Sequence, residues 1–473
     1  MEDQKIINFL NDSIYNLDKN LSSYSQIFDN RDMYYELRGH IDDFLNGYVE
    51  NRFITLAGLR GVGKTTILFQ IYNYLINDKK IPKEQVLYLS ADDLNSFLGI
   101  DIYETINIFL ENFHNTRPYG LDKEIFILID EAHFDKKWSL AGKVFYDKSM
   151  KIFFIFTGSS ALNFEVNVDA VRRIKKERIF PLSFQEYNKL KNKIPYVLNY
   201  KKTINDLIFK NEGIEIAKKL ENEMIMDSFN HNIDIKEQWN NYLLVGGFPF
   251  GLSLNKKDVY ERTFDFVNRI MFKDVLSLNS FNGKTISVIS QIITYIALQN
   301  PEGTSADKLS GILSKPKKTI QDILNTLEKT HLFFSVKPYG GLKQIKKPWE
   351  YYFLSPSIMA ALRYRFGNFN QRDNSFLGVL AETYVASYLF KVKEEENYYF
   401  NLYYDPRKNG VDFLLDTWDN IIPVEVVYGK KDKKQIKLAI NHYKSPYGII
   451  ISNTTSKIHQ EDNIIYIPLS SLP

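Results

Sequence analysis

The chain contains no cysteine. That absence excludes disulfides, thiolate zinc sites and cysteine nucleophiles, and it fits a cytoplasmic protein. Long apolar runs are missing too: no stretch approaches the roughly 20 residues needed to span a bilayer, so no membrane association is expected. Strong net charge is also lacking. The formal charge is +3 at pH 7, so any argument for nucleic acid must rest on local clusters. No internal repeat or low-complexity tract is evident. The N-terminal "MEDQKIINFLND" is acidic and amphipathic, unlike a signal peptide. What is present is 473 residues, 44% hydrophobic and 25% charged, with 34 Phe and 31 Tyr. That is ample material for large cores in about three domains.

Residues 1–50 carry apolar side chains at helical spacing in "IINFLNDSIYNL" and "HIDDFLNGYV". Short apolar runs then alternate with amphipathic segments: "FITLAG", "QVLYLS", "IFILID", "IFFIFTG" and "ERIFPLS". Strands alternating with helices imply an α/β parallel-sheet domain. Residues 200–280 read as helical and charged. Expected boundaries divide the chain into 1–195, 196–283, 284–365 and 366–473.

"GLRGVGKTT", Gly58 to Thr66, fits the spacing G-x-x-x-x-G-K-[ST] between a strand and a helix. Gly58, Leu59, Arg60, Gly61, Val62, Gly63, Lys64, Thr65 and Thr66 would wrap ATP phosphates with backbone N–H groups at a helix N-terminus. Lys64 would reach the β- and γ-phosphates, and Thr65 would give its hydroxyl to Mg²⁺. The strand "IFILID" ends in Asp130-Glu131. Asp130 would hold Mg²⁺ through water, and Glu131 would orient or deprotonate the attacking water. Thr157, ending the next strand, is placed to sense the γ-phosphate. Ser159 and Ser160 are read as helix caps ahead of helpers to Thr157, and His133 as a surface residue ahead of a polar neighbour of the acid pair.

The run "GLRGVGKTT", then "DEAHFDKKWSLAGKVFYDKSMKIFFIFTGSSAL", then "RRIKKERIFPLSFQEY" resembles an AAA-type P-loop ATPase family of archaea and bacteria. Its members carry a C-terminal restriction-endonuclease-like domain. Trp138, Tyr146 and Asp147, the motif Pro181 to Tyr187, and "GGFP" from Gly246 carry the resemblance. It implies an arginine at position 173 that offsets transition-state charge, in its own site or a neighbour's. Family members usually have glycine before that arginine; here Arg172 precedes it.

Downstream, three helical patterns precede a hairpin around Tyr339-Gly340-Gly341, the order of a winged helix-turn-helix. Lys315, Lys317, Lys318, Thr319 and Gln321 on the third helix, with Lys343, Lys346 and Lys347 on the wing, would meet DNA phosphates. A protein-docking spacer is the alternative.

The last segment places Glu382 on a helix, Asp412 on a strand and Glu425 on the next strand, the order of a restriction-endonuclease-like core. In such a core a lysine two residues after the glutamate assists the metal. Here that position is Val427, and Val426 is expected to point into the core instead. Gly410 stands where the family pattern has an acid. Glu382, Asp412, Glu425 and Lys430 are therefore expected to form a vestigial nuclease site. The lysines at 430, 431, 433, 434 and 437 could still hold a nucleic-acid backbone.

The expected function is Mg²⁺-dependent ATP hydrolysis coupled to DNA binding or remodelling, in genome defence or maintenance, with nuclease activity absent. The alternative is a nucleotide-controlled switch or scaffold acting through protein contacts. A homo-oligomer or a partner protein fits either reading.

Overall fold

The computed structural model describes residues 4–13, 29–159, 166–278, 281, 283–301, 303–341, 344, 347–370, 373–395, 398–429 and 433–473. Two compact units emerge, Met1–Ile179 and Phe180–Pro473. No described helix is long and apolar enough to cross a membrane.

The first unit is built on a five-stranded sheet: β1 (Phe53–Gly58), β2 (Val86–Ser90), β3 (Ile125–Asp130), β4 (Ile152–Gly158) and β5 (Lys175–Ile179). Its order is β2-β3-β4-β1-β5 and every pairing is parallel. Every residue of β1, β3 and β4 is buried. That explains why these strands read as unbroken apolar runs, since a parallel sheet is covered on both faces. The edge strand β5 differs, with Lys175 and Lys176 exposed, and charge on an edge discourages pairing with other chains. Flanking helices include α1 (Asp32–Leu45), α2 (Lys64–Asn73), α3 (Ile102–Phe113) and α4 (Trp138–Lys148). Trp138, Phe145, Phe154 and Phe156 fill the core against Phe53.

The second unit begins with helices α5 (Phe184–Asn192), α6 (Tyr200–Lys210), α7 (Ile214–Asn230), α8 (Ile235–Asn241) and α9 (Lys256–Arg269). Then follow α10 (Gly283–Leu298), α11 (Ala306–Leu313) and α12 (Lys317–Lys329), with the hairpin β6 (Phe333–Pro338) and β7 (Glu350–Phe353). Helices α13 (Pro356–Arg365) and α14 (Asn374–Glu394) lead into β8 (Asn401–Tyr404), β9 (Phe413–Asp416) and β10 (Ile421–Val427). Helix α15 (Lys434–Tyr443), β11 (Gly448–Ser452), β12 (His459–Glu461) and β13 (Ile464–Pro468) complete the chain.

The hairpin does not stand apart from the final domain. β6 pairs in parallel with β8, making one eight-stranded sheet ordered β12-β13-β11-β10-β9-β8-β6-β7. The division between the two compact units falls after Ile179. Buried bonds reinforce this merger. The Tyr200 hydroxyl donates to the Ser471 carbonyl at 2.7 Å, and Glu221 accepts from the Ile458 N–H and the Ser471 hydroxyl. A glutamate taken from water needs such donors.

Two motifs of the resemblance meet inside this unit. Ser183 caps α5, its hydroxyl accepting from the Glu186 N–H at 3.2 Å, the first half of a Ser-x-x-Glu capping box. The Leu182 N–H donates to the Gly247 carbonyl at 2.9 Å. Phe184 and Tyr187 pack with Trp239 and Tyr242 in an aromatic cluster. Pro181 to Tyr187 is thus a packing motif here.

Candidate nucleotide site and a buried carboxylate cluster

The phosphate loop joins β1 to α2. Gly61 and Gly63 have φ of 82° and 97°, a left-handed backbone that glycine adopts without a Cβ clash. Helix α2 starts immediately afterwards, so its N-terminal N–H groups face the loop. Lys64 is buried and its Nζ donates to the Gly58 and Leu59 carbonyls at 2.9 and 3.2 Å. The ammonium therefore lies folded across the loop that would receive phosphate.

Asp130 is the hub. It accepts from the Thr65 hydroxyl at 2.6 Å and, through its other oxygen, from the Thr157 hydroxyl. Burial pushes the Asp130 carboxyl above its ordinary range and Glu131 adds to the rise, while the two threonine hydrogen bonds and Lys64 oppose it. A cation beside Asp130 would reverse that direction. Three elements thus converge: Thr65 in the first turn of α2, Asp130 at the end of β3, and Thr157 next to the end of β4. The chemistry of this set, one hydroxyl and one carboxylate side by side, fits Mg²⁺.

Glu131 adopts φ of 51°, an unusual conformation for a residue with a Cβ, of the kind that gathers at functional sites. Its N–H donates to Asp130 at 3.1 Å and to the Thr157 hydroxyl at 3.3 Å. Its carboxylate lies 3.7 Å from Arg60 and 3.3 Å from His133. The expectation of a surface histidine is wrong: the His133 side chain is 3% exposed. The backbone turn at Glu131 carries it inward against the glutamate. Ser159 is buried, and Ser160 lies outside the described residues.

Arg173 is placed elsewhere. It precedes β5, whose last residue pairs with Gly58. β5 runs parallel to β1, so Arg173 sits at the sheet edge opposite the phosphate loop. Five residues at about 3.3 Å each put roughly 16 Å of strand between them. Its guanidinium bonds Asp147 at 2.7 Å and the Asp169 carbonyl at 2.9 Å. That position is about a strand length from its own chain's phosphate loop. One contact went unread in the sequence: Arg31, buried ahead of α1, donates to the Val62 carbonyl at 2.6 Å. A lone arginine some thirty residues upstream gives no pattern to find.

In the second unit Glu382, Asp412 and Glu425 do come near one another, and a fourth acid, Glu350 of β7, joins them. Burial drives the Glu382 carboxyl well above its usual range, and the charges of Asp412, Glu350 and Glu425 push the same way. Burial likewise raises Glu350, to about 8. The Tyr352 hydroxyl lies 2.8 Å from Glu382 and 3.0 Å from Glu350. It has one proton for two carboxyl groups, so a protonated glutamate completes the set. Asp412 accepts from the Val426 N–H at 2.6 Å. Among the described residues no three His, Asp or Glu side chains are grouped to hold a metal ion.

Val427, not Val426, is the core residue. Val427 packs with Ile436, Ala439, Ile440 and Ile450, whereas Val426 is only half-buried. Helix α15 covers that face of β10, which accounts for valine where a lysine would be expected. Gly410 has an equally local reason. A Cβ there would lie 2.6 Å from the Asp405 carboxyl carbon, and Asp405 is held by Arg407 and Tyr443. Lys430 and Lys431, like Lys343 and Lys346, lie outside the described residues. Lys433 pairs with Glu461 at 2.5 Å, Lys317 with Asp307 at 2.7 Å, and Lys347 donates to the Pro406 carbonyl at 3.0 Å.

Residues 50–188 match the model of an AAA domain, so the parallel-sheet unit and its phosphate loop are those of an AAA-type P-loop ATPase. Residues 236–372 and 377–472 match two domains of unknown function. The chain is 32% identical to the uncharacterized protein MJ1637 of Methanocaldococcus jannaschii, over 89% of its own length and 85% of the relative's. It belongs to the family of that protein. A second relative, the uncharacterized protein MJ1544 of the same organism, is 23% identical over 84% of this chain and 80% of its own. Among solved structures, the Aeropyrum pernix ORC2 protein aligns with 76% of this chain and 99% of its own, at 10% identity and a TM-score of 0.34. Thermotoga maritima RuvB R170A aligns with 66% and 90%, at 12% identity and a TM-score of 0.31.

Proposed function

We propose that the chain is a Mg²⁺-dependent ATPase whose second unit passes nucleotide state to DNA. The observation that carries the ATPase reading is the convergence of Thr65, Thr157 and Glu131 on Asp130 beside the buried Lys64. ATP would lie on Gly58 to Thr66. Thr65 and Asp130 would hold the Mg²⁺, which offsets charge on the transferring phosphoryl group. Glu131 would orient water, with Arg60 and His133 fixing its carboxylate. Thr157 would register the γ-phosphate through its link to Asp130. Arg173, at the far edge of the sheet, would serve the site of a neighbouring chain.

The DNA reading rests on α10 to α12 and the hairpin, in the order of a winged helix, with Lys315, Lys317 and Lys318 exposed on or beside α12. Phosphate contacts of this kind are salt-sensitive and largely sequence-neutral. The restriction-endonuclease-like segment is read as catalytically impaired. Val427 sits under α15, and the four acids lack a nearby lysine among the described residues of β10. The test is ATP hydrolysis with and without duplex or single-stranded DNA at low salt. The reading predicts that DNA changes the rate. If neither DNA binds nor alters turnover, the chain is a nucleotide-controlled switch acting on protein.

A further inference from the structure

A cavity of about 540 Å³ opens within the second unit, and none of the four acids lines it. That volume lies in the range of small-molecule pockets, roughly 300–1,000 Å³. Its position follows from topology. β10, β11 and β13 are mutually parallel, and the segments leaving their C-terminal ends line the cavity: Tyr428, then 452–456, then 468–471. Open α/β sheets bind ligands at that end of their strands. Helix α8 forms another wall with Lys236, Trp239 and Asn240.

The lining is rich in donors and holds no carboxylate. The Asn453 oxygen accepts from the Gly429 N–H at 2.8 Å. An N–H can only donate, so this bond fixes which amide atom is oxygen. One N–H of Asn453 serves the Tyr428 hydroxyl, leaving the other. Asn240 also has its oxygen engaged, by Tyr428 at 3.2 Å, which leaves its NH₂ group. The Trp239 ring lines the cavity and is held by packing against Phe184, Tyr242 and Tyr384. Lys236, exposed on α8, adds positive charge. Met224 and Leu469 give apolar wall.

We propose that this cavity binds a small organic oxyanion, a phosphate or carboxylate carried on a flat or apolar body. The oxyanion takes the Asn240, Asn453 and Lys236 donors, and the body lies along Trp239, Met224 and Leu469. Phenyl phosphate and benzoate distinguish the two oxyanions and can be titrated against the full chain by calorimetry. The same titration of Lys64→Ala separates this site from the phosphate loop. Saturable binding of one or both probes is expected at millimolar concentration or below, unchanged in Lys64→Ala. Asn453→Asp keeps an oxygen for the Gly429 N–H but replaces donors with negative charge. It should weaken binding about tenfold or more, as should Lys236→Glu. The proposal fails if neither probe saturates, if binding disappears in Lys64→Ala, or if both cavity variants melt normally and bind as the wild type does.

Discussion

Two groups of acids stand out in this molecule, and their surroundings oppose each other. Asp130 ends β3 among two threonine hydroxyls, with a buried lysine close by. Glu350, Glu382, Asp412 and Glu425 gather around one tyrosine, with Val427 on the strand where a cation would be expected. A divalent cation on the first cluster would offset the strain of its burial. In the second, burial and neighbouring acids push Glu350 and Glu382 toward their protonated forms. A buried carboxylate is thus no evidence of a metal site by itself; the donors and charges facing it decide.

The contrast can be broken by experiment. Lys64→Ala removes the cation from the first cluster. ATP turnover should fall at least about a hundredfold, measured by phosphate release; unchanged turnover would remove Lys64 from the site. Val427→Lys supplies the second cluster with its expected lysine. The core packing against α15 predicts destabilisation by about 3 kcal/mol or more in denaturant titration, without metal-dependent DNA cleavage. Cleavage in that variant would mean that the cluster lacked only the cation.

Glu350→Gln should produce an effect that depends on pH. The folded pKa of Glu350 is raised from 4.5 to about 8. Between those values the unfolded chain has already lost the proton that the folded chain keeps. Wild-type stability contributed by this group therefore falls as pH rises from 4.5 through about 8. The variant should gain in melting temperature over wild type above pH 8 and change little near pH 4. An equal difference at both pH values would place Glu350 in contact with water.

The parallel sheet was legible because both of its faces are buried, so β1, β3 and β4 appear as solid apolar runs. The phosphate loop was legible because its glycines and Lys64-Thr65 have fixed spacing. What escaped depends on contacts distant in sequence. Nothing in "EYYF" says that Glu350 will meet Glu382, some thirty residues away. β12 was missed because all three of its residues are exposed, leaving no alternation to detect. Val426 was assigned to the core because strand alternation gives two faces but does not say that α15 covers the one bearing Val427. His133 moved from surface to interior because one left-handed residue, Glu131, redirects the chain.

The central claim is that the first cluster hydrolyses ATP while the second is inert, and Glu131→Gln tests it most directly. The substitution keeps the size of the side chain but removes the charge that would orient or deprotonate water. Single-turnover hydrolysis of Mg²⁺–ATP should slow by about a hundredfold or more while ATP still binds. Hydrolysis at the wild-type rate, with binding intact, would contradict the account.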